Sequence, residues 1–399
     1  MILSKRLELI SESTTLKLNA LVQSLKAQGQ DVINLTAGEP DFAPPQQAIE
    51  EIKKRASLSA ESKYTPVPGL KELREEIAEG TAILQSISKQ WSFENVIVTH
   101  GAKHALAQIF MATLNKNDEV LIPAPYWLSY PEMVLLADGK PVIMETKFED
   151  DYLLKPDVLK KYLTSKTKLI ILNSPSNPTG AVYTKSQFQA VGKIIFEHIK
   201  MHPECFVVSD EIYNEIVFEG EKPACSFLKA CPELKENCIT VNGASKNFAM
   251  TGWRIGWAIG PKTIIQAMNK IQGQSTSGVN RLAQWAALAA LRMDINYFEE
   301  NRKTFGKRRN LLMDILSKSE RIKVRPPKGA FYAFLELGEV LRGQEDSVSF
   351  CEQLLEKAQV AVVPGVSFGS PWAVRMSFAT SEKNIQEGCH RFVKFLEKF

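Results

Sequence analysis

Through the middle of the chain, short apolar runs rich in β-branched residues alternate with longer segments whose apolar positions recur at helical spacing. Val96–Thr99, Glu119–Ile122, Pro141–Met144, Lys168–Leu172, Cys205–Ser209, Cys238–Val241 and Arg254–Ile259 read as strands. Between them, Leu70, Leu73 and Ile77 share a helix face after the turn Pro66-Val67-Pro68-Gly69. Phe188, Val191, Ile194 and Ile195 do the same behind Thr184, a candidate N-cap. This alternation predicts an α/β fold with a mostly parallel central sheet flanked by helices. From about Ile295 the character changes. A long charged helical segment, Asn296 to Glu320, precedes strand candidates near Phe331–Leu335, Val360–Val363 and Val374–Phe378, the pattern of a smaller α+β domain. The division expected is an N-terminal arm over 1–44 that joins the small domain, a large domain over 45–294 and a small C-terminal domain over 295–399. No internal repeat is evident.

Composition narrows the function classes. The chain has 399 residues, 44% hydrophobic and 24% charged, with a net charge of +4 from 49 basic against 45 acidic residues. That balance argues against a nucleic-acid partner, and Lys307-Arg308-Arg309 reads as a solvated helix face. No apolar run approaches the roughly 20 residues a membrane span needs, and the N-terminal stretch lacks the long apolar region of a signal peptide. Six cysteines without a CxxC pair suit reduced thiols in a cytoplasmic enzyme. His100 and His104 lie one helical turn apart, but no third ligand stands nearby and no metal site is expected.

In open α/β sheets, ligands bind beyond the carboxyl ends of the strands, so the residues that follow each strand carry the chemistry. His100-Gly101-Ala102-Lys103 follows the first and opens a helix near His104. Asn173 to Gly180, Asp210 to Tyr213 and Asn242 to Lys246 follow three others. Lys246 stands among small, uncharged neighbours, where desolvation favours the neutral amine. A neutral lysine attacks carbonyls, the anchor that pyridoxal 5'-phosphate requires. Such a cofactor needs phosphate donors, which the N–H groups of Gly101 and Ala102, Ser245 and Arg254 could supply. Arg254 could equally be packed between Trp253 and Trp257. Asp210 could pair with a protonated ring nitrogen or merely cap a helix. Tyr213 and Asn177 could bond the ring's phenolic oxygen, and Trp127 could cover its face.

Together these segments resemble the class I aminotransferases of the fold type I pyridoxal-phosphate family, from "NLTAGEPDF" (Asn34 to Phe42) to "VRMSFATS" (Val374 to Ser381). The matching stretches include "YTPVPGLKELRE", "GAKHAL", "PYW", "NPTGAVY", "SDEIY" and "GASKNFAMTGWRIG". Within the family, the chain is most similar to the bacterial aspartate aminotransferases with a lysine in the "GAK" loop. The resemblance implies that Lys246 forms the Schiff base and moves the proton, that Asp210 pairs with the ring nitrogen, and that Tyr213 and Asn177 bind the phenolic oxygen. It assigns the phosphate to Gly101, Ala102, Ser245 and Arg254, with Tyr64 reaching in from the second subunit of a homodimer, and places Trp127 over the ring. Arg375, helped by the Gly38 backbone, would clamp the substrate α-carboxylate, and Lys103 would read a second carboxylate. The implied reaction is a ping-pong transfer of the amino group from L-aspartate to 2-oxoglutarate. Aromatic amino acids, alanine or glutamate as donors, prephenate as acceptor, and carbon–sulfur lyase chemistry remain alternatives on the same fold. Relatives that act on prephenate carry a lysine in the N-terminal arm where Ser11 stands here, which speaks against that activity. One further departure is Gly243, where many relatives have a serine that binds the phosphate.

Overall fold

The computed structural model describes residues 3–87, 90–341 and 346–398. A short strand β1 (Ile33–Asn34) follows the N-terminal helix Thr14–Ala27. The large sheet then comprises β2 (Val96–Thr99), β3 (Glu119–Ala124), β4 (Lys140–Glu145), β5 (Thr167–Asn173), β6 (Phe206–Asp210), β7 (Cys238–Gly243) and β8 (Gly256–Ile259). Their order across the sheet is β2-β8-β7-β6-β5-β3-β4. Every pair from β7 to β4 is parallel, and β8 runs antiparallel to both its neighbours.

The inner strands are buried on both faces, and their side chains alternate between two cores. Leu121, Ile170, Leu172 and Val207 point into one, with Leu73, Ile77, Phe188 and Val191 from the helices Lys71–Leu84 and Lys185–Met201. Val120, Ile122, Leu169, Ile171 and Val208 point into the other, with Leu106, Ile109 and Met268 from Ala102–Thr113 and Lys262–Ser275. Each such buried aliphatic side chain contributes roughly 1.5–3 kcal/mol. Thr184 does cap its helix: it exchanges hydrogen bonds reciprocally with Gln187, side chain to backbone in both directions.

The C-terminal part adds β9 (Lys323–Val324), β10 (Tyr332–Glu336), β11 (Val360–Ala361), β12 (Val363–Pro364) and β13 (Ala373–Ser377). β12-β13-β10-β9 form an antiparallel sheet, backed by the helices Asn296–Leu316 and Glu382–Leu396 around Phe305, Phe350 and Phe392. The run Val360–Val363 is not one strand. Its first half pairs in parallel with β1, while Val363 and Pro364 pair with β13, so the chain changes sheets at Val362. The run Arg254–Ile259 is also shorter than its composition indicates. Arg254 is left-handed (φ 56°, ψ 51°) and only Gly256–Ile259 is extended. All six cysteines are buried free thiols, and no helix among the described residues is long and apolar enough to cross a membrane.

Candidate active site

The carboxyl ends of β5, β6 and β7 deliver Asn173, Asp210 and Gly243 to the same edge of the sheet. Over that edge lies a cleft of about 570 Å³, within the range that holds small-molecule ligands. The segment Thr36 to Glu39, the N-terminal helix and Tyr332 and Arg375 of the C-terminal sheet complete its walls. Four cations (Lys103, Lys246, Arg254 and Arg375) face two carboxylates there (Glu39 and Asp210), so the cleft favours anions.

Asp210 lies at its floor, fully buried. Burial raises its pKa to about 6, against the lowering effect of hydrogen bonds from Tyr130 and the Ile212 N–H. The Tyr130 hydroxyl donates to Oδ2 at 2.6 Å and the Ile212 N–H to Oδ1 at 3.2 Å. Asn173 donates to the Asp210 carbonyl at 3.0 Å and accepts the Asn177 N–H at 2.9 Å, tying two of the predicted site loops together. The Tyr130→Phe variant is expected to fold normally and to raise the Asp210 pKa by about one unit, since it removes a donor to the charged form. Carboxyl NMR shifts of labelled aspartate, followed from about pH 4 to pH 8, measure it, and an unmoved midpoint would remove Tyr130 from the site.

Lys246 sits on the short helix Ala244–Asn247 and donates to the Gly38 carbonyl. Burial lowers its pKa to about 8, with Arg375, Arg254 and Lys103 adding repulsion and Glu39 opposing it. Tyr213 is buried, its hydroxyl 3.0 Å from that of Tyr332. Arg375 is 2% exposed. It donates to Asn177 Oδ1 at 3.0 Å and to the Thr36 carbonyl at 2.9 Å, and its guanidinium lies 4.3 Å from the centre of the Tyr332 ring. Its Nε is buried without a hydrogen-bond partner, and no carboxylate of the described residues pairs with it. Burial lowers its pKa, with only the two tyrosines opposing.

The anion cradle differs in detail from the sequence expectation. The Gly101 N–H is already committed to the Thr99 carbonyl at 2.7 Å, so it is not a free donor. Gly101 serves by lacking a side chain: its φ is +89°, and a Cβ there would collide with the Arg254 guanidinium. The N–H groups of Ala102 and Lys103, in the first turn of the helix, remain without intrahelical partners by position. Arg254 donates to the carbonyls of Thr251 and His100 rather than stacking between its flanking tryptophans. Gly243 is explained by close approach. A Cβ there would lie 2.9 Å from both Gly256 Cα and the Ile255 carbonyl oxygen, so no serine fits without shifting β8. Ser245 lines the cleft instead.

Lys103 Nζ lies 5.0 Å from the centre of the Trp127 ring, and burial together with Arg254 lowers its pKa. Trp127 in turn meets Tyr130 edge-on at 5.3 Å. Tyr64 is outside this cleft: it is 93% exposed, with its carbonyl held by Arg281 at 2.8 Å. His100 and His104 contact each other edge-on, and no described group of three His, Cys, Asp or Glu side chains is placed to hold a metal.

Sequence reasoning did not find Tyr130, Glu39 or Tyr332, and it placed Asn173 in a post-strand segment without giving it a role. Tyr130 lies in the first turn of the helix Ser129–Leu136, and the turn that leads into it, closed by the Tyr130 N–H on the Trp127 carbonyl at 3.0 Å, keeps it beside Trp127. Asn173 is the last residue of its strand, the position where ligand contacts gather. Tyr332 had no such signal, because only tertiary packing of the C-terminal sheet brings it to Tyr213.

Known proteins resemble the chain over nearly its whole length. Residues 30–392 match the family described as aminotransferase class I and II. The aspartate aminotransferase of Bacillus subtilis is 42% identical over 398 residues, covering 99% of each chain. The aspartate/prephenate aminotransferase of Nitrosomonas europaea is 39% identical, again with 99% of each covered. Among solved structures, Thermus thermophilus aspartate aminotransferase with maleate superposes with a TM-score of 0.90 at 40% identity, covering 99% of each chain. That of Rhizobium meliloti superposes with a TM-score of 0.93 at 34% identity, covering 100% of this chain and 99% of its own. With a match over nearly its whole length in both sequence and fold, the chain belongs to the class I and II aminotransferases.

Proposed function

We propose that this aminotransferase uses pyridoxal 5'-phosphate to pass the amino group of L-aspartate to 2-oxoglutarate. The observation that carries the reading is Arg375, a buried guanidinium with an orphaned Nε and no carboxylate partner at the wall of a cationic cleft. A buried, unpaired charge is costly, and an α-carboxylate from the substrate would complete its hydrogen bonding. The residues present also fit the cofactor. The helix start at Ala102, Ser245 and Arg254 offer donors for its phosphate, Asp210 a carboxylate for its ring nitrogen, Tyr213 and the Asn177 amide donors for its phenolic oxygen, and Trp127 a ring to cover it.

When bound, pyridoxal phosphate supplies a carbonyl that takes up the amine and a ring that spreads the negative charge left when the α-proton departs. The chain's own groups do the rest. Lys246 Nζ, neutral above about pH 8, would hold the cofactor and, as a free amine, would remove the substrate's α-proton and return it. Asp210 would stabilise positive charge at the ring nitrogen, and Tyr130, by donating to it, favours the ionised carboxylate and fixes its position. Arg375 orients the substrate so that its Cα–H faces Lys246. Tyr64, fully exposed in its own subunit, would reach the phosphate of a second copy, which makes the homodimer part of this proposal. A cytoplasmic location accords with six reduced, buried thiols.

Lys103 is the cation available for a second carboxylate, and the relative bearing maleate, a four-carbon dicarboxylate, supports a pocket with two anion sites. The first test is the visible absorption of the purified protein: aspartate alone should remove its yellow band and 2-oxoglutarate should restore it. A yellow protein indifferent to aspartate would redirect the reading to other donors or to lyase chemistry. Lys103→Ala is expected to lower kcat/KM for aspartate by about 10- to 100-fold, the worth of one charged hydrogen bond. Alanine should be almost unaffected, and equal losses for both substrates would remove Lys103 from recognition.

A further inference from the structure

Asn214, Asn242 and Asn247 form a side-chain cluster behind the lysine that no step above uses. Asn214 Oδ1 accepts two amide donors, from Asn247 Nδ2 at 2.7 Å and from Asn242 Nδ2 at 3.0 Å. We propose that Asn214 is a positioning residue that fixes Lys246 relative to Tyr213, by tying the two loops that carry them through a single shared acceptor. The inference rests on the reading of Lys246 as the group that moves the proton.

The Asn214 backbone is itself fixed. Its N–H donates to the Glu211 carbonyl at 3.0 Å and its carbonyl accepts from Ala224 at 2.9 Å. The side chain is therefore a stationary post one residue beyond Tyr213. The opposing segment is not self-supporting, because Ala244–Asn247 is a single four-residue turn, and so short a helix gains too little to offset the cost of nucleating it. It is held from outside at both ends. Asn242 Oδ1 takes the Gly243 N–H at 2.7 Å just before the turn. Asn247, immediately after Lys246, bonds Asn214 through its amide and the Glu215 N–H through its Oδ1 at 3.4 Å. Asn214 and Asn247 are buried, so loss of the shared oxygen leaves amide donors without water or protein to replace it. The cluster thus fixes the main-chain origin of Lys246, while its amine is tethered separately by a hydrogen bond to the Gly38 carbonyl.

The test compares Asn214→Ala with Asn214→Asp, which keeps an oxygen at the same place. Misplacing a reacting group by about 1 Å costs on the order of 10²-fold in rate. Asn214→Ala should therefore lose about 10²-fold in kcat with KM changed by less than about threefold, and Asn214→Asp should recover most of it. A second readout needs no turnover: the pH dependence of Lys246 acetylation in the cofactor-free chain, followed by mass spectrometry. In Asn214→Ala the lysine, loosened toward solvent, should titrate about one unit or more higher. Asn247→Ala, which keeps Asn214 and its bond from Asn242 but removes the bonds from Asn247 to Asn214 and to the Glu215 N–H, should shift it the same way even if Asn214→Ala does not fold. An unshifted acetylation profile in these variants, or an Asp variant as slow as Ala, overturns the proposal. If the unsubstituted protein fails to transaminate, the functional reading falls while the acetylation profile still decides the role of Asn214.

Discussion

Lys246→Ala should still bind pyridoxal phosphate, through the phosphate cradle and Asp210, yet lose transamination by about 10⁵-fold or more, as removal of a group that acts directly on the reacting atoms does elsewhere. Among the described residues that line the cleft, the one other lysine is Lys103, packed over the Trp127 ring, and the hydroxyls of Tyr213 and Tyr332, which share a hydrogen bond, have pKa values raised by burial. The variant also has a signature in stability. In the unfolded chain Lys246 keeps its proton up to the ordinary 10.5, while in the folded protein it releases it above about 8. Between those values the unfolded state binds more protons, so stability of the cofactor-free protein rises with pH. Lys246→Ala should remove that rise. Thermal unfolding at several pH values checks the second half, and the rate of keto-acid formation checks the first. Turnover near that of the unsubstituted protein would end the assignment.

The fold was legible because the inner strands of the large sheet are buried on both faces. Leu169 to Leu172, Val207 and Val208, and Ile239 with Val241 need no tertiary information to be recognised as strands. The same holds for Thr184, whose cap is a local hydrogen-bonding pattern. What stayed hidden depends on contacts distant in sequence. Val362 marks a change of sheet only because Ile33 pairs with Val360 and Arg375 with Val363. Arg254 leaves the extended conformation to point its guanidinium at the loop after β2, where Gly101 has vacated the space for it. The donor role expected of the Gly101 N–H failed for a local reason: the turn uses that group to close on Thr99. The site residues that short motifs carry were therefore visible. Those that support them from behind, Tyr130, Tyr332 and Asn214, were not, because their partners lie 80, 119 and 33 residues away along the chain.

Arg375→Met separates recognition from architecture. The guanidinium is buried, lacks a carboxylate partner and leaves Nε unsatisfied, so the free protein bears the cost of desolvating a charge it does not itself neutralise. Replacing it with an apolar side chain of similar length removes that cost, while freeing Asn177 Oδ1 and the Thr36 carbonyl, each a loss of about 1–3 kcal/mol. The two effects oppose, and the melting temperature should move by only a few degrees, about the shift of 1 kcal/mol or so in a chain this size. Activity should respond very differently. Losing a buried charge partner costs about 2–5 kcal/mol, which lowers kcat/KM by roughly 30- to 5,000-fold. The fall should be the same for aspartate and alanine, because both present the α-carboxylate. That equality distinguishes Arg375 from Lys103, whose loss should discriminate between them. Arg375→Lys should not rescue, since an ammonium cannot form the planar fork that spans Asn177, Thr36 and a carboxylate at once. A collapse in melting temperature together with activity would instead make Arg375 a structural pin between the C-terminal sheet and the Asn177 loop, and the substrate's carboxylate would have to be sought elsewhere in the cleft.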